Sequence, residues 1–117
     1  MKKTLLKISV LITIAIFFSS CAFHTGFMAN SASLSSSNFS YTKMNATGTS
    51  TTTYILGFGG MKREAMVNDA KQNLLSTNPL QNNQALSNIT VNFKMVTYAG
   101  VYGKSTCTVT ADIVTFK

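Results

Sequence analysis

Groups that do chemistry are scarce in this chain. Its 117 residues hold three carboxylates, one histidine and two cysteines. The carboxylates are Glu64, Asp69 and Asp112. Glu64 and Asp69 lie five apart on a stretch that reads as helix, about 140° round its axis, so they do not face one another as an acid/base pair must. Asp112 shares one side of an alternating segment with Thr108 and Thr110 and reads as a solvated residue. His24 has no second His, Cys or carboxylate near it, which leaves it short of a metal site. We therefore expect no enzyme, no cofactor and no metal.

Acidic residues are also too few to balance the ten Lys and Arg, and the formal charge is +7. Three of those cations, Lys2, Lys3 and Lys7, sit at the extreme N-terminus. Without them the charge is 7 − 3 = +4, and the remaining cations are dispersed instead of forming the basic stripe of a nucleic-acid binder. Nucleic acid is not an expected partner.

No apolar run reaches the roughly 18 to 20 residues that cross a bilayer as a helix. The run from Ile8 to Phe18, broken only by Ser9 and Thr13 and preceded by the three lysines, instead has the layout of a secretory signal peptide. It ends in Phe18-Ser19-Ser20-Cys21, which resembles the bacterial lipobox: a large apolar residue, two small ones, then the cysteine that receives diacylglycerol. Residues 1–20 are then the cleaved signal and Cys21 the mature first residue. Its acyl chains contribute about 0.8 kcal/mol per buried methylene, and several chains together make a stable anchor. An aspartate after that cysteine would imply retention in the inner membrane; here the position is Ala22. If Cys21 is acylated, Cys107 has no intramolecular partner. It alternates with Val109, Ala111 and Ile113, so we expect a buried, inert thiol.

From Cys21 to Ser37 the chain is rich in Ser, Ala and Asn and reads as a flexible tether. Residues 38–117 read as a single domain. Asn38–Thr47 and Thr49–Leu56 suggest two strands about a turn at Gly48, with threonine favouring extended backbone. Gly57-Phe58-Gly59-Gly60 ends that hairpin, and Met61–Leu75 reads as a helix that buries Met66, Ala70, Leu74 and Val67 along one stripe. Asn78-Pro79 stops it. Ile89–Val96 alternates cleanly, with Ile89, Val91, Phe93 and Met95 on one face. Gly100 and Gly103 mark a turn, and Ser105–Phe116 alternates again. The expected fold is α+β in ββαββ order: a small four-stranded, largely antiparallel sheet with one helix packed on one face.

Several groups of residues carry a family likeness: Phe39-Ser40-Tyr41, Leu56-Gly57-Phe58-Gly59-Gly60, Asn83-Gln84-Ala85-Leu86, Asn88-Ile89-Thr90-Val91 and Cys107-Thr108-Val109-Thr110-Ala111-Asp112. Together with the lipobox they resemble a family of uncharacterised bacterial lipoproteins, a domain of unknown function of Bacteroidota type. More distantly the chain is similar to the TRL-like lipoproteins. The resemblance implies a lipid anchor and one compact α/β domain.

The function expected from this reading is structural or protein-interacting, without catalysis, in a lipoprotein held by Cys21 to the outer membrane and facing the periplasm. Partners would be the membrane and an envelope protein or a second copy paired through a sheet edge. The alternative is a small-ligand or anion-binding module at the strand-to-helix corner. There Gly57, Gly59 and Gly60 could offer backbone N–H groups and Lys62 and Arg63 positive charge. It is not a dinucleotide fingerprint, since Lys62 occupies the position of the third glycine.

Overall fold

The computed structural model describes residues 1–17, 20–29, 32, 34 and 38–117, giving the backbone alone for Ile16, Phe17, Ser20 and Cys21. In chain order the elements are α1 (Lys2–Phe17), β1 (Ser20–Met28), β2 (Phe39–Ile55), α2 (Arg63–Thr77), β3 (Gln84–Tyr98) and β4 (Tyr102–Phe116). The strands form one four-stranded antiparallel sheet in the order β1-β3-β4-β2. This is the expected α+β class, with α2 across one face.

The core follows the two periodicities of the sequence. Ile89, Val91 and Phe93 on β3 and Cys107, Val109, Ala111 and Ile113 on β4 are buried on the face that receives α2. The helix meets them with Met66, Ala70 and Leu74, a single row at i, i+4 and i+8. Cys107 is fully buried, and burial pushes its thiol pKa up, so it stays protonated.

Gly48 is not a turn. β2 runs unbroken through it, pairing Gly48 with Val109, and Gly48 keeps an ordinary extended backbone without positive φ. The glycine serves the helix instead: a Cβ there would lie 2.1 Å from the Ala70 carbonyl oxygen and 2.5 Å from the Leu74 nitrogen. Its missing side chain lets α2 rest directly on the β2 backbone, where the Asn73 amide also donates to the Thr49 carbonyl at 2.8 Å. The threonines around it then fall on the opposite, uncovered face. There Thr47, Thr49 and Thr51 pair with Thr110, Thr108 and Thr106.

The tether expected over residues 21–37 is likewise corrected at its start. β1 pairs with β3 along its whole length, and Ala29 and Ala32 continue the contact by donating to the carbonyls of Ile89 and Leu86. The rest of that stretch, residues 30, 31, 33 and 35–37, lies outside the described residues. In β1 the alternation of Phe23, Thr25 and Phe27 places them on the same face as Met95, Phe93 and Val91. Two local hairpins flanking the helix therefore do not form. β1 and β2, consecutive in sequence, occupy opposite edges, and the hairpin is the β3–β4 pair.

Asp112 also differs from its reading as a merely solvated residue. It lies where both neighbouring strands shift register, β2 between Tyr41 and Ala46 and β3 between Ser87 and Thr90. One carboxylate oxygen accepts from the Asn45 backbone N–H at 2.8 Å, the other from the Asn88 side-chain amide at 2.9 Å. Asn45 and Asn88 have φ of 56° and 50°, a left-handed conformation that asparagine tolerates better than most residues. The central strand thus pins a bulge on each side through one side chain. Those two hydrogen bonds, the Asn88 amide first, hold the Asp112 pKa below the usual carboxylate range.

Two outcomes follow. Gly48→Ala should cost about 1–3 kcal/mol or more in urea unfolding of the full chain, because the new methyl collides with helix backbone that cannot swing aside. A loss below about 0.5 kcal/mol would mean that α2 does not sit there. The lowered pKa of Asp112 contributes stability that is present above its unfolded pKa and lost as pH falls through the folded one. Asp112→Asn should therefore be less stable at neutral pH and lose less stability on acidification below about pH 4, measured by thermal melts across that range.

Candidate functional site

Both pieces of the targeting reading meet at one end of the sheet. Cys21 is the second residue of β1, with its backbone in register with Thr97; its side chain, and Phe18 and Ser19 of the lipobox, lie outside the described parts of the structure. Ahead of it, α1 is apolar and exposed on every side: Leu5, Leu6, Leu11 and Ile12 are each more than half accessible. No helix among the described residues is long and apolar enough to cross a membrane.

Two tight turns close the same end. Tyr98-Ala99-Gly100-Val101 joins β3 to β4, with the Val101 N–H donating to the Tyr98 carbonyl at 3.1 Å. Ile55-Leu56-Gly57-Phe58 reverses the chain after β2, with Ile55 and Phe58 exchanging hydrogen bonds of 3.0 and 2.9 Å. The central pairs have positive φ throughout, 52° and 79° at Leu56 and Gly57, 51° and 68° at Ala99 and Gly100, the pattern of type I′ turns. A bond of 2.6 Å from the Leu56 N–H to the Val101 carbonyl ties the two turns together.

The glycine corner continues from the second turn. Gly59 and Gly60 also have positive φ, at 86° and 83°, which accounts for glycine there on backbone grounds. The Met61 N–H donates to the Thr52 hydroxyl at 2.9 Å, and Lys62 caps α2 without a side-chain hydrogen bond. Arg63 does not join the glycines in one anion site. The Arg63 guanidinium lies over the Phe93 ring, 5.3 Å from its centroid, a cation–π contact directed back over the sheet.

That contact forms one wall of a groove that the sequence did not disclose. α2 packs over β2 and β4, which leaves the β3–β1 side of the same face partly open. The hollow of about 290 Å³ is lined by Phe27, Arg63, Glu64, Val67, Asn68 and Phe93, with Phe27 stacked at 6.3 Å on Phe93. Assigning Phe27 to a tether concealed it; the alternation of Phe23 and Phe27 was the available signal. The one acid in the groove, Glu64, stands without a nucleophile or a second acid. His24 is exposed on β1 opposite Lys94, and the described residues contain no group of three or more metal-binding side chains.

No curated protein and no solved structure matches this chain. Its whole length, residues 1–117, matches one family description, and the chain accordingly belongs to that family of unknown function, DUF6567.

Proposed function

We propose that this protein is a bacterial lipoprotein whose folded body serves a structural or protein-interaction role in the cell envelope and carries out no catalysis. In this reading residues 1–20 are removed and Cys21 carries the lipid. Ala22 in place of aspartate favours the outer membrane, periplasmic side. The observation that carries the reading is α1, a lysine-led apolar helix that buries none of its described Leu and Ile side chains, Leu5 to Ile14, in the fold. An apolar segment left wholly in water is unfavourable, so its partner is sought elsewhere, and the lipobox at its end says what becomes of it. The uncovered sheet face, with its threonine rows, and the outer edges of β1 and β2 are the surfaces open to a partner.

Anion binding at the glycine corner is the second reading, favoured by the open space beside Gly57 and Gly59 and by the absence of a side-chain cap at Lys62. If it holds, phosphate raises the Tm of the natural protein and the Lys62→Gln, Arg63→Gln double variant loses that response. If the corner is only a corner, phosphate has no effect on either protein, and the double variant loses the Arg63–Phe93 cation–π contact, about 0.5–1 kcal/mol, partly offset because cations at a helix N-terminus are mildly unfavourable.

The lipoprotein reading predicts that Cys21→Ala abolishes incorporation of a palmitate analogue and releases the protein from the membrane fraction, because acyl chains and no spanning helix hold it. An alanine variant that still labels and pellets with membranes would refute the anchor.

A further inference from the structure

We propose that the end of the sheet formed by the Ile55–Phe58 and Tyr98–Val101 turns is a membrane-docking surface, inserted into the headgroup region of the bilayer that carries the lipid. The proposal rests on the lipoprotein reading and adds to it an orientation and a set of lipid-contacting residues.

Register places the anchor at this end of the sheet. Cys21 pairs with Thr97 and Ser20 with Tyr98; Tyr98 pairs with Tyr102, and Tyr102 with Ile55. An acyl group on Cys21 therefore enters the bilayer at the end of the sheet that both turns close, next to the Tyr98–Val101 turn and across two strands from Ile55–Phe58. With β1 hydrogen-bonded to β3 from Ser20 onward, no slack chain separates lipid from sheet. The anchor sets the distance of this end from the membrane as well as the attachment.

The turns present a contiguous apolar patch. Leu56 is 63% exposed, Phe58 81% and Val101 49%, contiguous through the Leu56–Val101 hydrogen bond. The Tyr98 and Tyr102 rings, 5.9 Å apart, stand behind them; tyrosine, apolar along its ring and polar at its tip, suits the interface between headgroups and acyl chains. Lys62 and Lys104, both exposed, flank the patch with charge suited to lipid phosphates. The opposite end of the sheet is closed by Asn78–Asn83, with Gln81, Asn82 and Asn83 exposed to water; the exposed apolar side chains there, Leu80 at 36% and Phe116 at 38%, are less exposed than those of the turns.

A turn with two successive positive φ values favours Asn-Gly or Asp-Gly, because asparagine and aspartate tolerate the left-handed region that other side chains resist. The two bulges of this sheet obey the rule with Asn45 and Asn88. At the Cys21 end the corresponding places hold Leu56 and Ala99, whose φ values of 52° and 51° are as positive. Both turns thus accept steric strain and forgo a polar side chain at that place, where Leu56 is exposed and Ala99 half-buried. A watery environment offers no compensation for that choice; a lipid interface does.

The chain contains no tryptophan, so single Trp substitutions report one position each. Full-length Phe58→Trp, Val101→Trp and, at the far end, Phe116→Trp would be purified from membranes and reconstituted in vesicles whose lipids carry bromine on the upper acyl carbons. Docking predicts about a twofold or greater loss of emission at positions 58 and 101 relative to unbrominated vesicles, and little change at 116. Palmitate-analogue labelling of the same preparations separates the two ideas. Labelled protein with unquenched 58 and 101 overturns docking and leaves the anchor standing; quenching without label keeps docking and removes the anchor. Equal quenching at all three positions overturns the orientation. Emission at 58 and 101 that shifts with protein concentration and ignores bromine overturns it in favour of a second copy on the patch.

Discussion

The contact on which the rest of the structure depends is the seating of α2 against the backbone of β2 at Gly48. A helix with only three fully buried side chains, Met66, Ala70 and Leu74, has little apolar surface with which to hold a sheet. It compensates by close approach. Gly48 on one side and Ala70 on the other remove the atoms that would keep the two backbones apart, so dispersion contacts and the Asn73 to Thr49 hydrogen bond act at short range. That close seat holds α2 over the β2–β4 half of the sheet.

The uneven cover has consequences across the molecule. β3 keeps Phe93 in the core, yet on the β1 side the same face is completed by Phe27 and by the guanidinium of Arg63 instead of by helix. The result is a groove beside α2, with the edge strand β1 closing it. β1 matters for this reason as well as for its hydrogen bonds: without it, β3 would become an unpaired edge and the flank of Phe93 would face water. Asp112 has the complementary task at the far half of the sheet. By accepting from Asn45 and Asn88 it lets both strands beside β4 bulge at the same level, so the sheet bends without leaving the displaced groups unpaired.

The two ends of the sheet differ in kind. One is closed by an asparagine- and glutamine-bearing loop. The other is closed by two turns that carry leucine, phenylalanine, valine and tyrosine and are tied to one another by a backbone hydrogen bond. Soluble domains expose apolar residues singly without consequence, whereas a contiguous set at the tips, beside the point where the chain arrives from α1, is a polarity along the whole fold. In the docking proposed above, this end faces the apolar phase, and the threonine face and the opposite end face water.

The sequence by itself determined whatever depends on local periodicity. The helix stripe of Met66, Ala70 and Leu74, the inward faces of β3 and β4 and the burial of Cys107 follow from side chains recurring with the period of their own element, and the positive φ of the corner glycines from their lack of a Cβ. The tertiary structure alone decided what depends on a partner distant in the chain. Gly48 looks like a turn until the helix that needs its empty space is in place. Phe23 and Phe27 look like part of a tether until β3 offers an edge, and Asp112 looks solvated until two bulges from opposite sides reach it. Nor does any residue near Cys21 in sequence announce that Leu56, Phe58 and Val101 close the same end of the sheet. That neighbourhood is created by strand register, which the backbone of the whole sheet fixes at once and which no single segment encodes.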